Sequence, residues 1–150
     1  MTTNVYFEAL DLADQVRAHM FDAVGAELAR AKYAGLTPAQ ALLIYTLGDE
    51  ELKISELYKR GCYRGQNVSY NLNKLVHLGL LARRRNPNDK RSCYVRATNK
   101  GRAIAMLLRQ AFDRRFGNLV ASGTALAEQM ASAKSALRAL DNCLTAQIVG

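Results

Sequence analysis

Residues 82–98 constrain the fold of this chain more than any other segment. Three arginines, Arg83–Arg85, are followed by the turn formers Asn86–Asp89, and the basic pair Lys90–Arg91 comes next. Polar and apolar residues then alternate over Ser92–Ala97, as in a strand with one buried face. The pattern predicts a two-stranded ribbon with a basic tip, a shape that fits a phosphate backbone or a minor groove.

The positive charge is concentrated around this ribbon. Residues 53–102 hold thirteen Lys or Arg and two Asp or Glu. The rest of the chain holds eight Lys or Arg and eleven Asp or Glu. A charge that served solubility alone would be spread more evenly. The segregation therefore favours a module that binds a polyanion, placed between neutral or acidic flanks.

Helical periodicity is found on both sides of the ribbon. The second helix has a strong start signal, because Thr37 is a good N-cap, Pro38 suits the first helical position and Gln40 completes a capping box. The six predicted helices cover Val5–Lys32, Pro38–Gly48, Glu56–Arg60, Gln66–His77, Ile104–Val120 and Ala125–Gln147.

The fourth helix is the strongest candidate for reading bases. Its apolar stripe contains Val68, Leu72, Leu75 and Gly79, and polar residues take the opposite face. That polar face consists of Gln66, Asn67, Ser69, Tyr70, Asn73 and Lys74. Amides and hydroxyls can bond to base edges, while Arg64 and Lys74 suit phosphates. The alternative interpretation is an ordinary solvated helix face.

A short helix, a turn at residues 61–65, a second helix and a basic ribbon together predict a winged helix-turn-helix. The expected fold class is mainly α with a minor β component. A two-stranded β-wing follows the recognition helix, and long helices flank this lobe at both ends of the chain.

The same elements resemble the MarR family of bacterial transcriptional regulators. The resemblance covers about residues 36–104, and the long flanking helices agree in number and placement. Its motifs are Leu36–Gln40, Ile54–Leu57, Gln66–Leu75, Leu78–Arg83, Asn88–Ser92 and Ala97–Gly101.

The most specific part of the resemblance is the wing signature, which stands here as Asp89, Arg91, Thr98 and Gly101. It implies that Arg91 enters the minor groove and that Asp89 holds the wing. For Asp89, simple turn formation is the alternative. We also expect Arg84 and Lys90 to contact DNA. The chain departs from the family at Ala97, where a leucine is usual.

The flanking helices carry longer apolar stripes than one small lobe needs. By resemblance, they form a homodimer that binds a palindromic operator, with small-molecule ligands in the crevice beside the DNA-binding lobe. We expect one domain over residues 1–150. Its winged-helix lobe would cover about 36–102, and its dimerisation helices about 5–32 and 103–147.

The three cysteines, Cys62, Cys93 and Cys143, are an odd number without a CxxC motif, which argues against a disulfide framework or a zinc site. Arg60, Arg64 and Arg91 lie near Cys62 or Cys93 in sequence, so a redox-sensing role for these two thiols is an alternative. We favour the simpler interpretation, in which each is a small hydrophobic residue.

The predicted function is sequence-specific binding of double-stranded DNA by a transcriptional regulator, with a ligand-responsive repressor as the favoured form. A winged helix used as a protein-interaction module is the alternative, and the charge segregation argues against it. The sequence contains no catalytic triad, phosphate loop or metal-ligand spacing, so we expect no enzyme, cofactor or metal site. With no secretory signal or transmembrane span, a cytoplasmic, nucleoid-associated protein is expected.

Overall fold

Six helices and three short strands make up the part of the chain that the structure describes. This computed structural model describes residues 2–60, 67–121 and 123–149. In chain order the elements are α1 (Thr2–Arg30), α2 (Pro38–Leu47), β1 (Leu52–Lys53), α3 (Ile54–Leu57), α4 (Val68–His77), β2 (Leu81–Asn86), β3 (Asp89–Ala97), α5 (Asn99–Ala121) and α6 (Thr124–Val149). Within the described ranges, no helix is both long and apolar enough to span a membrane.

The chain divides into two compact units, Met1–Gln110 and Ala111–Gly150. The first unit has an aliphatic core, to which the end of α1, α2, α3, α4, β2 and the start of α5 contribute. Its largest fully buried side chains are Val24, Leu28, Leu43, Ile44, Leu47, Leu57, Leu72, Leu75, Leu81, Ile104 and Leu108. The assignment of the whole chain to one domain stays a prediction.

The predicted capping box at the start of α2 is confirmed. The backbone N–H of Gln40 donates to Thr37 Oγ1 at 3.2 Å, and the Thr37 N–H donates to Gln40 Oε1 at 3.1 Å. The buried Gln40 side chain also donates from Nε2 to Oδ1 of Asn71, on α4, at 3.2 Å. One glutamine thus caps α2 and ties it to the predicted recognition helix.

The sheet has three antiparallel strands in the order β1-β3-β2. Leu52 and Lys53 of β1 pair with Val95 and Tyr94 of β3. The two-stranded wing expected from the sequence is formed by β2 and β3. β1 adds a third strand to its sheet, at residues that the sequence indicated as a polar connection. The mainly α winged-helix fold class is confirmed.

The wing turn is tighter than the sequence suggested. Asn86 pairs with Asp89, so only Pro87 and Asn88 form the turn. Lys90 and Arg91 therefore belong to β3, directly after the turn, where the pairing register of the two strands shifts. The predicted second strand began too late, because Asp89 was counted only as a turn former.

Both ends of the wing meet at a backbone joint between α4 and α5. Gly79, at a φ of +73°, follows the end of α4. Thr98 donates from Oγ1 to the Gly79 carbonyl at 2.6 Å and from its backbone N–H to the Leu80 carbonyl at 3.1 Å. Thr98 Oγ1 also accepts from the Gly101 N–H at 3.3 Å, which caps α5. We call these four residues the wing joint.

Each terminal helix carries exposed apolar side chains within its own unit. On α1, the exposed fraction is 66% for Phe7 and 59% for Val16. On α6, it is 62% for Met130 and 48% for Leu144. Apolar surface on this scale is typical of a face that another protein chain covers.

The wing joint predicts that Gly101→Ala destabilises the protein. A Cβ at this position would lie 2.1 Å from the Leu80 carbonyl oxygen, a backbone atom already bonded to Thr98. Overpacking of this kind costs about 1–3 kcal/mol, and the rigid neighbour favours the upper end. Chemical denaturation at fixed protein concentration measures the loss.

The matched control is Gly35→Ala. A Cβ on Gly35 would meet no atom within 4 Å, and its φ lies outside the left-handed region. Its stability should be unchanged or raised by up to about 1 kcal/mol. Equal destabilisation by both substitutions would contradict the close approach at Gly101.

Candidate nucleic-acid interface

The exposed face of α4 carries the polar side chains predicted from the sequence. Val68, Leu72 and Leu75 are buried, which confirms the apolar stripe at these positions. Gly79, also expected in the stripe, is exposed because it lies beyond the end of α4. Ser69, Tyr70, Asn73 and Lys74 are exposed on the other side of the helix. They recur at three- and four-residue steps and therefore share one face.

Asn67 lies at the start of this face as the N-cap of α4. Its Oδ1 accepts from the backbone N–H of Tyr70 at 3.0 Å. A contact with DNA would thus use its remaining amide hydrogens. Three further residues of the sequence prediction, Cys62, Arg64 and Gln66, lie outside the described residues.

Asn73 has a partner in the wing. Arg83, on β2, donates from Nη2 to Asn73 Oδ1 at 2.6 Å. Arg83 was not among the DNA contacts expected from the sequence. Strand alternation could have indicated Arg83. Alternation places Arg83 on the same face of β2 as the buried Leu81, while Arg84 takes the opposite face.

The Arg84 side chain contacts Glu51 and Tyr94, both in the first unit. Its Nε and Nη2 donate to Oε1 of Glu51 at 3.1 and 2.5 Å. Its guanidinium also lies 4.7 Å from the ring centroid of Tyr94, the residue opposite Arg84 on β3. This cation–π contact and the ion pair hold Arg84 across the sheet. DNA contact by Arg84 stays a prediction, and phosphate would have to compete with Glu51.

The hydrogen bond from Arg84 is the main cause that lowers the pKa of Glu51 below its ordinary value, and the nearby charges of Arg84 and Arg96 act in the same direction. Folding therefore favours the ionised carboxylate. The pair contributes to stability at neutral pH, and this contribution is lost as the pH falls through the lowered pKa.

Asp89 organises the wing turn through the backbone. Its Oδ1 accepts from the Arg91 N–H at 3.0 Å, and its Oδ2 accepts from the Ser92 hydroxyl at 3.4 Å. Within the described residues, the side chains of Lys90 and Arg91 are exposed and form neither a hydrogen bond nor an ion pair. Two cations next to the tip are thus available to a polyanion.

The described cysteines have different surroundings. Cys93 is half-buried on β3, opposite Arg85, and Cys143 is exposed on α6. Both are free thiols. The redox role considered for Cys93 stays a prediction.

Known proteins resemble this chain in sequence. Residues 34–92, which contain α2 to α4 and most of the wing, match the model of the MarR family. The exopolysaccharide II synthesis transcriptional activator ExpG of Rhizobium meliloti (strain 1021) is 35% identical over 106 residues, which is 71% of this chain and 55% of ExpG. Both sequence comparisons thus show similarity to the MarR family. It spans about half the length of the curated relatives that it matches.

Solved structures share the fold of this chain. The Staphylococcus aureus MepR–DNA complex has a TM-score of 0.67 at 20% identity, covering 85% of this chain and 94% of MepR. NadR in complex with 4-hydroxyphenylacetate has a TM-score of 0.68 at 22% identity, covering 85% and 88%. The family and its curated relatives are transcriptional regulators, not enzymes.

The Arg84 contact gives a prediction for the titration of Glu51. Its carboxyl should titrate below the ordinary pKa of glutamate, and Arg84→Met should raise the pKa towards that value. Arg85→Met is the matched control, since Arg85 forms no side-chain hydrogen bond or ion pair within the described residues. NMR of the Glu51 carboxyl carbon measures this pKa in the parent and in both variants. A Glu51 pKa that is equal in the parent and in Arg84→Met would contradict the contact.

Proposed function

We propose that this chain is a MarR-family transcriptional regulator that binds double-stranded DNA by sequence. In this proposal α4 lies in the major groove and the tip of the wing enters the minor groove. One observation carries it: a helix face of amide, hydroxyl and phenol groups stands beside a strand pair with exposed arginines. That arrangement supplies base contacts and phosphate contacts on neighbouring elements.

The proposed contacts divide by chemistry. Asn67, Ser69, Tyr70 and Asn73 bond to base edges, while Lys74 and Lys90 bind phosphates. Arg91 enters the minor groove, whose negative potential attracts a guanidinium. Arg64 and Gln66 remain proposed contacts on the strength of the sequence alone. The solved complex of MepR with DNA supports this use of the fold.

Arg84 has a different part in the proposal. Its bonds to Glu51 and its position over Tyr94 set the orientation of β2 relative to β1 and β3. We therefore propose that Arg84 positions the wing and that any contact it makes with phosphate is secondary.

A homodimer is the form in which we expect the chain to bind. The exposed apolar side chains of α1 and α6, Phe7 and Met130 among them, are the proposed dimer contacts. A two-fold dimer presents two copies of α4, so its operator should be an inverted repeat with half-sites about one helical turn apart. DNA binding of this kind implies a cytoplasmic location, on the nucleoid.

A cavity of about 190 Å³ in the first unit is the proposed effector site. It lies at the end of α2 and the start of α5, close to the wing joint. Its lining residues are Tyr45, Gly48, Asp49, Arg102, Ala105, Met106 and Arg109. Arg102 is paired with Asp49, which also lines the cavity, at 3.7 Å. Arg109 in a small, largely apolar cavity suits an organic acid. NadR, solved with 4-hydroxyphenylacetate, supports an acid of this type.

Repression is the proposed mode of regulation, with release on binding of the effector. ExpG, the 35% identical relative, is named an activator. A promoter-reporter assay distinguishes repression from activation. If the chain is a repressor, deletion of the regulator should raise expression from its operator. A fall in expression would assign activation and leave the proposed DNA binding intact.

Selection of bound sites from random DNA tests the proposed function. We expect an inverted repeat, bound with an affinity that falls steeply as salt rises because phosphate contacts release counterions. Enrichment of no sequence, or binding that is insensitive to salt, would contradict DNA reading and favour a protein-interaction module.

Arg91→Ala tests the wing contact. Because Arg91 is exposed, the substitution should change stability by no more than about 0.5 kcal/mol while it weakens operator binding. Lys134→Ala, which removes one exposed positive charge from α6, is the charge-matched control and should retain parental affinity. If Arg91→Ala binds as tightly as the parent at equal salt, Arg91 is not a groove contact.

A thermal-shift screen of small organic acids and phenols tests the effector site. A hit should raise the melting temperature and weaken operator binding, provided that it prefers the arrangement that does not bind DNA. Arg109→Met should abolish the response to acids. Hits that stabilise the protein and leave operator affinity unchanged would contradict a ligand switch. Loss of binding with oxidant alone, abolished by Cys62→Ser or Cys93→Ser, would assign sensing to the cysteines.

A further inference from the structure

The hydrogen bond between Asn73 and Arg83 restricts what Asn73 can read. Arg83 Nη2 lies 2.6 Å from Asn73 Oδ1, and both side chains are exposed on the proposed DNA-binding surface. The inference below rests on the proposed function, since it concerns the base pair that meets Asn73.

The chemistry of arginine fixes the orientation of the Asn73 amide. A guanidinium has five N–H donors and no acceptor, so the atom that faces it must be the carbonyl oxygen. The Nδ2 group, with its two hydrogens, then remains for another partner. The assignment of oxygen and nitrogen therefore follows from the partner's chemistry.

An asparagine that reads adenine needs both ends of its amide. Its oxygen accepts from the N6 amino group, and its nitrogen donates to N7. In Asn73 one of the two lone pairs of the oxygen is taken by Arg83, and the adjacent positive charge weakens the other as an acceptor. The Asn73–Arg83 pair thus offers mainly N–H donors to the edge of a base.

We infer that the Asn73–Arg83 pair reads guanine, and that Arg83 is a specificity-determining residue. Guanine presents two acceptors in the major groove, O6 and N7, and no donor there. Adenine and cytosine each present an amino group, for which the pair has only the weakened second lone pair of Asn73 Oδ1. Arg83 contributes in two ways, because it occupies the Asn73 oxygen and can itself donate to the base.

The architecture of the wing explains why Arg83, and not its neighbours, has this role. Successive residues of a strand point to opposite faces. Arg84 reaches Glu51 from one face, while Arg83 shares the other with Leu81, which is buried in the core to which α4 contributes. Arg85 also shares that face and has no side-chain hydrogen bond or ion pair within the described residues.

The test measures affinity for a panel of operators that differ at single base pairs. In each half-site the parent should prefer a G·C pair at one position, and Asn73→Ala should reduce the preference there, because the Nδ2 donors are lost while Arg83 remains. Arg83→Met frees the Asn73 oxygen for the adenine amino group. The preference at that same position should then shift from guanine to adenine by about tenfold.

Arg85→Met is the matched control. It removes a neighbouring wing cation and should lower affinity for all operators alike, without a change in base preference. Asn73→Asp is a second test variant, and it leaves the residues of the wing unchanged. Its carboxylate keeps an acceptor for Arg83 but lacks the Nδ2 donor, so the guanine preference should be reduced even if Arg83→Met does not fold.

The outcomes separate this inference from the proposed function. Parental binding that prefers adenine at the Asn73 position would overturn the inference and keep DNA reading. An unchanged guanine preference in both Arg83→Met and Asn73→Asp would overturn it as well. A parent that selects no sequence would overturn both.

Discussion

The wing joint is the constraint on which the proposed binding surface depends. Gly79 and Leu80 follow α4, and Thr98 and Gly101 lie at the start of α5; hydrogen bonds connect these segments over a sequence separation of about twenty residues. Because both ends of the wing close at one point, α4, the two wing strands and α5 keep fixed relative directions. A methyl group on Gly101 would collide with the Leu80 carbonyl oxygen, so the joint requires glycine.

The three consecutive arginines of β2 differ in the contacts that they make. Arg83 bonds to Asn73 on α4, Arg84 bonds to Glu51 across the sheet, and Arg85 forms no side-chain hydrogen bond or ion pair within the described residues. Equal charges at adjacent positions therefore make unequal contacts. In our proposal, the first shapes base preference, the second positions the wing, and the third adds only attraction to phosphate.

Local signals allowed much of this fold to be predicted. The capping box at Thr37 and Gln40, the stripe of α4 and the Thr98–Gly101 helix start depend on contacts within a few residues. The sequence did not reveal β1, because two residues give no periodicity and their pairing with Val95 and Tyr94 is long-range. The partners of Arg83 and Arg84 were also missed, since a run of basic residues does not indicate which face each one takes.

Methylation protection by dimethyl sulfate tests the central claim, that α4 lies in the major groove and the wing tip in the minor groove. The reagent methylates guanine N7 in the major groove and adenine N3 in the minor groove, so one experiment reports both grooves. The account predicts protection of guanine N7 within each half-site and of adenine N3 at the flanks, where Arg91 enters. Protection of adenine N3 alone, or no protection in either groove of a bound operator, would contradict it.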